Sequence, residues 1–581
     1  MNKKVLGILL YLLFLGSSIS PTINSDIIEK NDIRNNLMDK TISSIINESL
    51  LDLQYIYNIT ENLSKIIFTE YNESAGELAK GRAFGSKGEH KAADIIYENM
   101  TILGLWTKKE PIKNIKEKPY IACKIDINER GLSIINKTSH TVTPVVDCFI
   151  SGRSNLTDLY LQLKEFQGQK PVIGWLLLIL LTKLIPINGR LDKKYDIYNT
   201  KLLTYNFSYK SLEVIKKPYN YSLVSDFIYG IKNDDSFVYI DLDGSFTYWP
   251  WSLQETKFKG FFYKNISKII NFFGGDEGYT EKLIWTIFHP NCKAIIKVDS
   301  NNDTYNMGHG WAPVPIITVN RTIGLDIYKN PQNYCIDFYI NQSWNESVES
   351  YNVIGQLNGT DFPNHSIIVC SLYDSWWCQG TGDAAIGMAM VLGIAKYFKD
   401  HKIKPKCNIK FIAFGGEEYS FRGAYYHEIL HRNELYTPYI IDINQVGFTP
   451  IIPENIKLQI WVNNQTLNET IGNFAEEINY TNRTGIGFQT RYIRDGGPSN
   501  TRAYAVTNSD KRWLYNTIMV VKTGYEVPGP QWLNHHRDGI NHGAGDVIDF
   551  FNWNDTSTTG ELIWNITNYF TNRTFSISID N

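Results

Sequence analysis

The residues of this chain best suited to share a metal ion lie in its last two-fifths. Asp383 sits in Asp374-Ser-Trp-Trp-Cys-Gln-Gly-Thr-Gly-Asp383-Ala-Ala-Ile-Gly387. The pair Glu417-Glu418 follows the apolar stretch Ile409–Phe414, and His542 opens His542-Gly-Ala-Gly-Asp546. Carboxylates and an imidazole are zinc ligands, and a second carboxylate beside them can act as a base toward water. Each feature alone has a plainer reading. An acid pair suits the first turn of a helix, and a lone aspartate suits an N-cap. Their joint position after successive buried strands is what argues for metal chemistry.

The elements that must position these groups are legible in outline. From Asn352 onward, continuous apolar strands alternate with helical patterns. Ile367–Leu372, Ile409–Phe414 and Tyr439–Val446 read as buried strands. Asp383–Phe398 reads as a helix with Gly387, Val391, Ile394 and Ala395 on its buried side. This alternation predicts an α/β fold with a mostly parallel, helix-covered sheet, whose site lies at the carboxyl ends of the strands. Asp374, Glu417 and Asn444 all fall at or just past such ends.

Upstream, Ile42, Ile45, Ile46, Leu50, Leu53 and Ile56 recur at helical spacing, which predicts one or two amphipathic helices before about residue 72. A glycine-containing turn from Arg82 leads into a helix from Glu89, with Ala92, Ile95 and Ile96 on one face, ending near Gly104. From about Ser139 the texture changes to short β-rich runs: Phe237–Leu242, Cys292–Val298 and Val314–Val319. The stretch 155–235 matches neither pattern.

At 581 residues the chain is too long for one core. With 43% hydrophobic and 20% charged residues it has the material for a large one. A formal net charge of −3 and the absence of a long basic run exclude an electrostatic footprint for nucleic acid. Lys3 and Lys4, the apolar run Val5–Leu15 and the small residues Gly16, Ser17 and Ser18 predict a signal for export over residues 1–22. More than twenty Asn-x-Ser/Thr triplets, from Asn47 and Asn58 to Asn572, agree with a secreted or cell-surface glycoprotein. Seven cysteines without a CxxC pair exclude a disulfide-built scaffold and leave at least one thiol over, with Cys378 near Asp383. The apolar run Gly174–Pro186 is broken by Lys183 and is too short for a bilayer span, so it reads as a buried or interfacial helix.

Taken together, Tyr-Asp374-Ser, Asp383-Ala-Ala-Ile-Gly387, Phe414-Gly-Gly-Glu417-Glu418-Tyr and His542-x(3)-Asp546 resemble the zinc aminopeptidase family that includes glutamate carboxypeptidase. Asn352–Thr360 is similar to the segment that opens the catalytic core of that family, and Arg82–Gly104 to its N-terminal turn and helix. Trp311–Asn320 with Cys292–Val298 is similar to the protease-associated domain often inserted in these enzymes. After the signal over 1–22, the resemblance implies a first part of the peptidase-like domain over 23–138, an inserted β-rich domain over 139–345 with an extra segment at about 155–235, and the main part over 346–581.

The resemblance also implies roles. Asp383 matches an aspartate that bridges two metals, Glu417 the general base, and Glu418 and His542 ligands of one metal. The other metal takes a histidine and an aspartate whose places are held here by Leu372 and Asn444. Leucine cannot ligate, and a neutral amide oxygen is a poor zinc ligand. Both losses fall on the same metal, so Asp383, Glu418 and His542 remain as one three-ligand site for a single zinc ion, with Asp374 as a carboxylate behind the ligands. His535 and His536 are alternative ligands should the alignment slip. The expectation is a secreted metallo-exopeptidase acting on peptides through one retained site. Two alternatives stay open: a single-zinc enzyme of the glutaminyl cyclase type, and a non-catalytic surface or receptor-like protein. Membrane or cell-surface association and a homodimer also stay open.

Overall fold

The structure is a computed structural model. It describes residues 45–46, 48–66, 81–118, 121–144, 148–151, 205–216, 237–241, 292–298, 316–319, 321–345, 347–375, 378–419, 421–432, 436–448, 457–494, 496–505, 515–523 and 546–572. The expected export signal, the run Gly174–Pro186 and the segment 155–235, apart from the strand residues 205–216, lie outside them. The chain divides into two units, Met1–Ser49 and Leu50–Asn581, and everything below concerns the second.

The strands in chain order are β1 (Trp106–Pro111), β2 (Lys124–Asn136), β3 (Thr141–Pro144), β4 (Cys148–Ser151), β5 (Tyr205–Lys216), β6 (Phe237–Asp241), β7 (Cys292–Val298) and β8 (Ile316–Val319). There follow β9 (Tyr334–Asn345), β10 (Tyr351–Leu357), β11 (Phe362–Leu372), β12 (Cys407–Phe414), β13 (Tyr436–Ile443), β14 (Lys457–Val462), β15 (Gly487–Tyr492) and β16 (Asn516–Thr523). They form two eight-stranded sheets.

The first sheet runs β1-β10-β12-β11-β13-β16-β14-β15. Its centre, β12-β11-β13-β16, is parallel, while β1, β10 and β14 bring in antiparallel pairings. Every residue of β12 is buried, as a strand covered on both faces requires. The registers align the strand ends: Leu372 of β11 sits beside Phe414 of β12, and Cys370 beside Asp442 of β13. The segments that leave these three strands therefore emerge side by side, carrying Asp374, Glu417-Glu418 and Asn444-Gln445.

Helices cover this sheet. Leu53–Ser64 buries Leu53, Ile56, Ile59 and Leu63, with Asp52 capping its first turn. Lys87–Ile102 begins at Ser86, whose hydroxyl accepts the Glu89 N–H at 3.1 Å. It buries Ala92, Ala93, Ile96 and Met100. The helix expected from Asp383 starts later, at Ile386, and runs to Asp400. The cause is local: Asp383 and Ala384 have non-helical dihedrals. Gly387 then lets that helix approach the end of β13, because a Cβ there would lie 2.4 Å from the Ile443 carbonyl oxygen. On the other flank Lys522 of β16 is fully buried and donates to Asp555 at 2.5 Å, which ties the C-terminal helix Trp553–Asn572 to the sheet.

The second sheet runs β3-β2-β9-β5-β6-β7-β8-β4 and draws all its strands from residues 124–345. It takes in β2, so it begins before the boundary expected at 139. A continuous apolar cluster joins Ile134, Val238, Ile296, Ile336 and Phe338 of this sheet to Phe84, Cys378 and Tyr419 beside the candidate site. Among the described residues, no helix is long and apolar enough to cross a membrane.

Candidate metal and hydrolytic site

The site begins where β12 ends. After Phe414 the chain must turn sharply against the Phe84 ring, and Gly416 makes this turn at φ +66. A Cβ on Gly416 would stand 2.5 Å from that ring, so only glycine fits. The turn presents the N–H groups of Glu417 and Glu418 to Asp374. One carboxylate oxygen of Asp374 accepts from Glu417 at 3.0 Å, and the other accepts from Glu418 at 3.2 Å. Asp374 thus holds the acid pair through its main chain.

Asp383 is fixed from the opposite side. The carboxylate of Asp546 accepts the N–H of Gly382 at 2.6 Å and that of Asp383 at 3.1 Å. Gln445, two residues past β13, donates its amide to Asp383 Oδ2 at 3.1 Å. Asn444 donates its main-chain N–H to the Val520 carbonyl at 3.0 Å and its side-chain amide to the Ser499 hydroxyl at 2.9 Å. Its Oδ1 is buried without a hydrogen-bond partner. The Ser499 hydroxyl in turn donates to Asp442. Leu372 closes β11 and is fully buried. His542, His535 and His536 lie outside the described residues.

The electrostatics are dominated by burial of like charge. Asp374, Asp383, Glu417, Glu418 and Asp546 are each 7% exposed or less. Burial pushes the Glu417 carboxyl up, and Glu418, Asp383 and Asp374 push it further. Asp374 is raised by burial and by Glu418, against the pull of the two N–H groups it accepts. Asp546 is raised to about 7 by burial, with Asp383 adding to it. The nearby cation, Arg82, is itself fully buried. Its guanidinium donates to the carbonyls of Tyr373 (2.7 Å), Leu63 (3.0 Å), Gly380 (2.9 Å) and Gln379. It therefore braces the strand end and the Gly380 turn instead of pairing with a carboxylate. Buried carboxylates of like charge are a setting that a divalent cation would relieve.

Sequence reasoning passed over Arg82, Gln445 and Ser499, because nothing in a linear pattern says which polar side chains converge on a strand end. It also passed over Glu110, His427 and His431, whose ligand atoms lie within 4.8 Å of one another. Here a signal existed, since His427 and His431 are four residues apart in one helix.

Residues 352–567 match peptidase family M28. No curated protein sequence matches the chain. A Peptidase M28 precursor from Shewanella amazonensis superposes with a TM-score of 0.54 at 14% identity, covering 94% of this chain and 98% of its own. BSAP, a zinc aminopeptidase from Bacillus subtilis, superposes with a TM-score of 0.51 at 13% identity, covering 90% and 95%. At these identities the likeness is one of fold.

Proposed function

We propose, from the match of residues 352–567 to peptidase family M28, that the chain is an exported exopeptidase that cleaves peptides with a single zinc ion held by Asp383, Glu418 and His542. The observation that carries this reading is the Asp374 clamp, which keeps Glu417 and Glu418 side by side at the end of β12. One carboxylate is thereby available as a ligand and the next as a base. The second metal of the family is absent in this reading. Leu372 cannot ligate, Asn444 spends its amide on Ser499, and Gln445 already donates to one oxygen of Asp383.

A zinc ion in this set supplies Lewis-acid polarisation and makes water more acidic. Glu417 takes the proton of the attacking water and returns it to the leaving amine. Burial and the neighbouring acids raise its carboxyl toward the range in which it can do both. Asp374 keeps its main chain still during both transfers. The second sheet, read as the inserted protease-associated-like domain, walls the cleft through the cluster at Phe84, Cys378 and Tyr419 and limits entry to peptide ends. Export agrees with the acceptor asparagines. Asn58, Asn62, Asn358, Asn364, Asn479 and Asn482 are exposed, and among the described residues no acceptor is buried.

The test is zinc per chain together with turnover on a panel of short peptides and N-terminal glutamine substrates, for the parent and Glu418→Ala. Zinc lost from this site in the variant, with peptide hydrolysis lost in step, is the expected result. Turnover of N-terminal glutamine without hydrolysis would move the assignment to a cyclase. No zinc at this site in the parent would leave a non-catalytic protein on a retired peptidase fold.

A further inference from the structure

We propose a second metal site, unrelated to the first, in which Glu110, His427 and His431 hold a zinc ion that clamps the edge of the central sheet to the helix following the Glu417-Glu418 turn. His427-Glu428-Ile429-Leu430-His431 occupies the second half of the helix Arg422–His431, so the two imidazoles fall on one face, one turn apart. Their ring centroids are 4.4 Å apart. Glu110 comes from β1, where it pairs across to Asn352 of β10.

The three ligand atoms lie within 4.8 Å of one another, with His431 Nε2 at 2.6 Å from Glu110 Oε1. Around a tetrahedral zinc such atoms stand about 3.3 Å apart, which side-chain rotation reaches from here. His427 is 3% exposed, yet its Nε2 has no hydrogen-bond partner. Its other ring nitrogen lies 2.8 Å from the Tyr504 hydroxyl. With the Nδ1 hydrogen donated to that oxygen, Nε2 keeps its lone pair, as a ligand must. A buried acceptor left bare is costly unless something fills the space in front of it. Glu110 Oε1 also receives Lys108 at 3.0 Å, from a side chain 36% exposed that can turn to solvent, and Oε2 receives Asn352 at 3.4 Å.

Two imidazoles and one carboxylate are a ligand set for zinc. The arrangement is a clamp and not a second hydrolytic centre. Glu428, which would be the base of such a helix motif, is ion-paired to Arg432 at 2.6 Å. The clamp would steady the helix that follows Phe421, whose N–H donates to the Glu417 carbonyl at 2.8 Å, and through it the base of the first site.

The experiment uses the full chain carrying Asp383→Asn and Glu418→Gln, which neutralise the first site with isosteric side chains. After chelation it is titrated with zinc chloride. The expected result is about one zinc per chain, an unfolding midpoint raised by about 2–4 °C, and a zinc X-ray absorption spectrum with two imidazole nitrogens. Adding Glu110→Gln should weaken uptake at least about a hundredfold, since even partners of ligands cost ten- to a hundredfold. No zinc uptake, a spectrum with fewer than two imidazoles, or unchanged affinity with Glu110→Gln would each overturn the proposal. Should the combined variant not fold, the parent decides. Two zincs per chain, one of them retained by Glu418→Ala, support the clamp, and complete loss in Glu418→Ala refutes it.

Discussion

The carboxylate of Asp374 accepts the main-chain N–H of Glu417 at 3.0 Å, from a residue 43 positions later on the neighbouring strand end. The same carboxylate takes the Glu418 N–H, so one fully buried side chain sets the positions of two others. Replacing it with alanine orphans both buried N–H groups, at about 1–3 kcal/mol each. Asp374→Ala is therefore expected to lower the urea midpoint and to reduce kcat about ten- to a hundredfold, the range for supporting partners of a metal site. A variant that loses stability but keeps its kcat would mean the turn holds its shape without Asp374.

Glu417 and Glu418 are neighbours with different expected fates. Glu417→Gln keeps shape and removes the proton acceptor. It should reduce peptide hydrolysis about 10²–10⁴-fold while zinc content stays at the parent level. Glu418→Ala should lose hydrolysis and one zinc per chain relative to the parent. Elemental analysis beside turnover separates the two, and equal zinc loss in both variants would argue that Glu417 is itself a ligand.

Arg82 was not visible as a site residue in the sequence, although the segment around it was. The turn and helix after it were legible because Ser86, Glu89 and the apolar face at Ala92 and Ile96 carry a local signal. The role of Arg82 depends on carbonyls from residues 63, 373, 379 and 380, which no spacing rule brings together. The strands β11, β12 and β7 were legible for the same local reason. The late start of the helix at Ile386 was not, because it follows from the backbone at Asp383. Arg82→Lys keeps the charge but loses the planar fork. It should cost at least about 3 kcal/mol in urea unfolding, as several buried carbonyls lose their donor. A cost below about 1 kcal/mol would show that lysine or water replaces it.

Asp442 gives a pH signature. Burial raises its carboxyl to about 6, against hydrogen bonds from Ser499 and Asn500 that pull it down. Its unfolded value is about 3.9. Between these two values the folded chain binds the extra proton. This contribution to stability is thus fully present below about pH 4 and is lost as pH rises through about 6. The loss is on the order of 2–3 kcal/mol. Asp442→Asn resembles the protonated form and cannot titrate. The difference between parent and variant unfolding free energies from pH 4 to pH 7 should show the slope. A flat difference would mean the carboxylate stays ionised throughout.

Asn444 and Leu372 offer the reverse experiment. The buried Oδ1 of Asn444 has no hydrogen-bond partner, and in the proposed reading Asn444 stands where the zinc aminopeptidase pattern has an aspartate ligand. Leu372 closes β11 and, in the proposed reading, stands where that pattern has a histidine. If the chain lost one metal by these two substitutions, Leu372→His with Asn444→Asp should bind one zinc more per chain than the parent. Asn444→Asp alone should not, because a single new carboxylate beside Asp383 adds repulsion without completing a ligand set. Elemental analysis of the three chains checks this. An unchanged count in the double variant would mean that Gln445, which donates to Asp383 at 3.1 Å, closes the second position, and that its amide must be removed before a metal can enter.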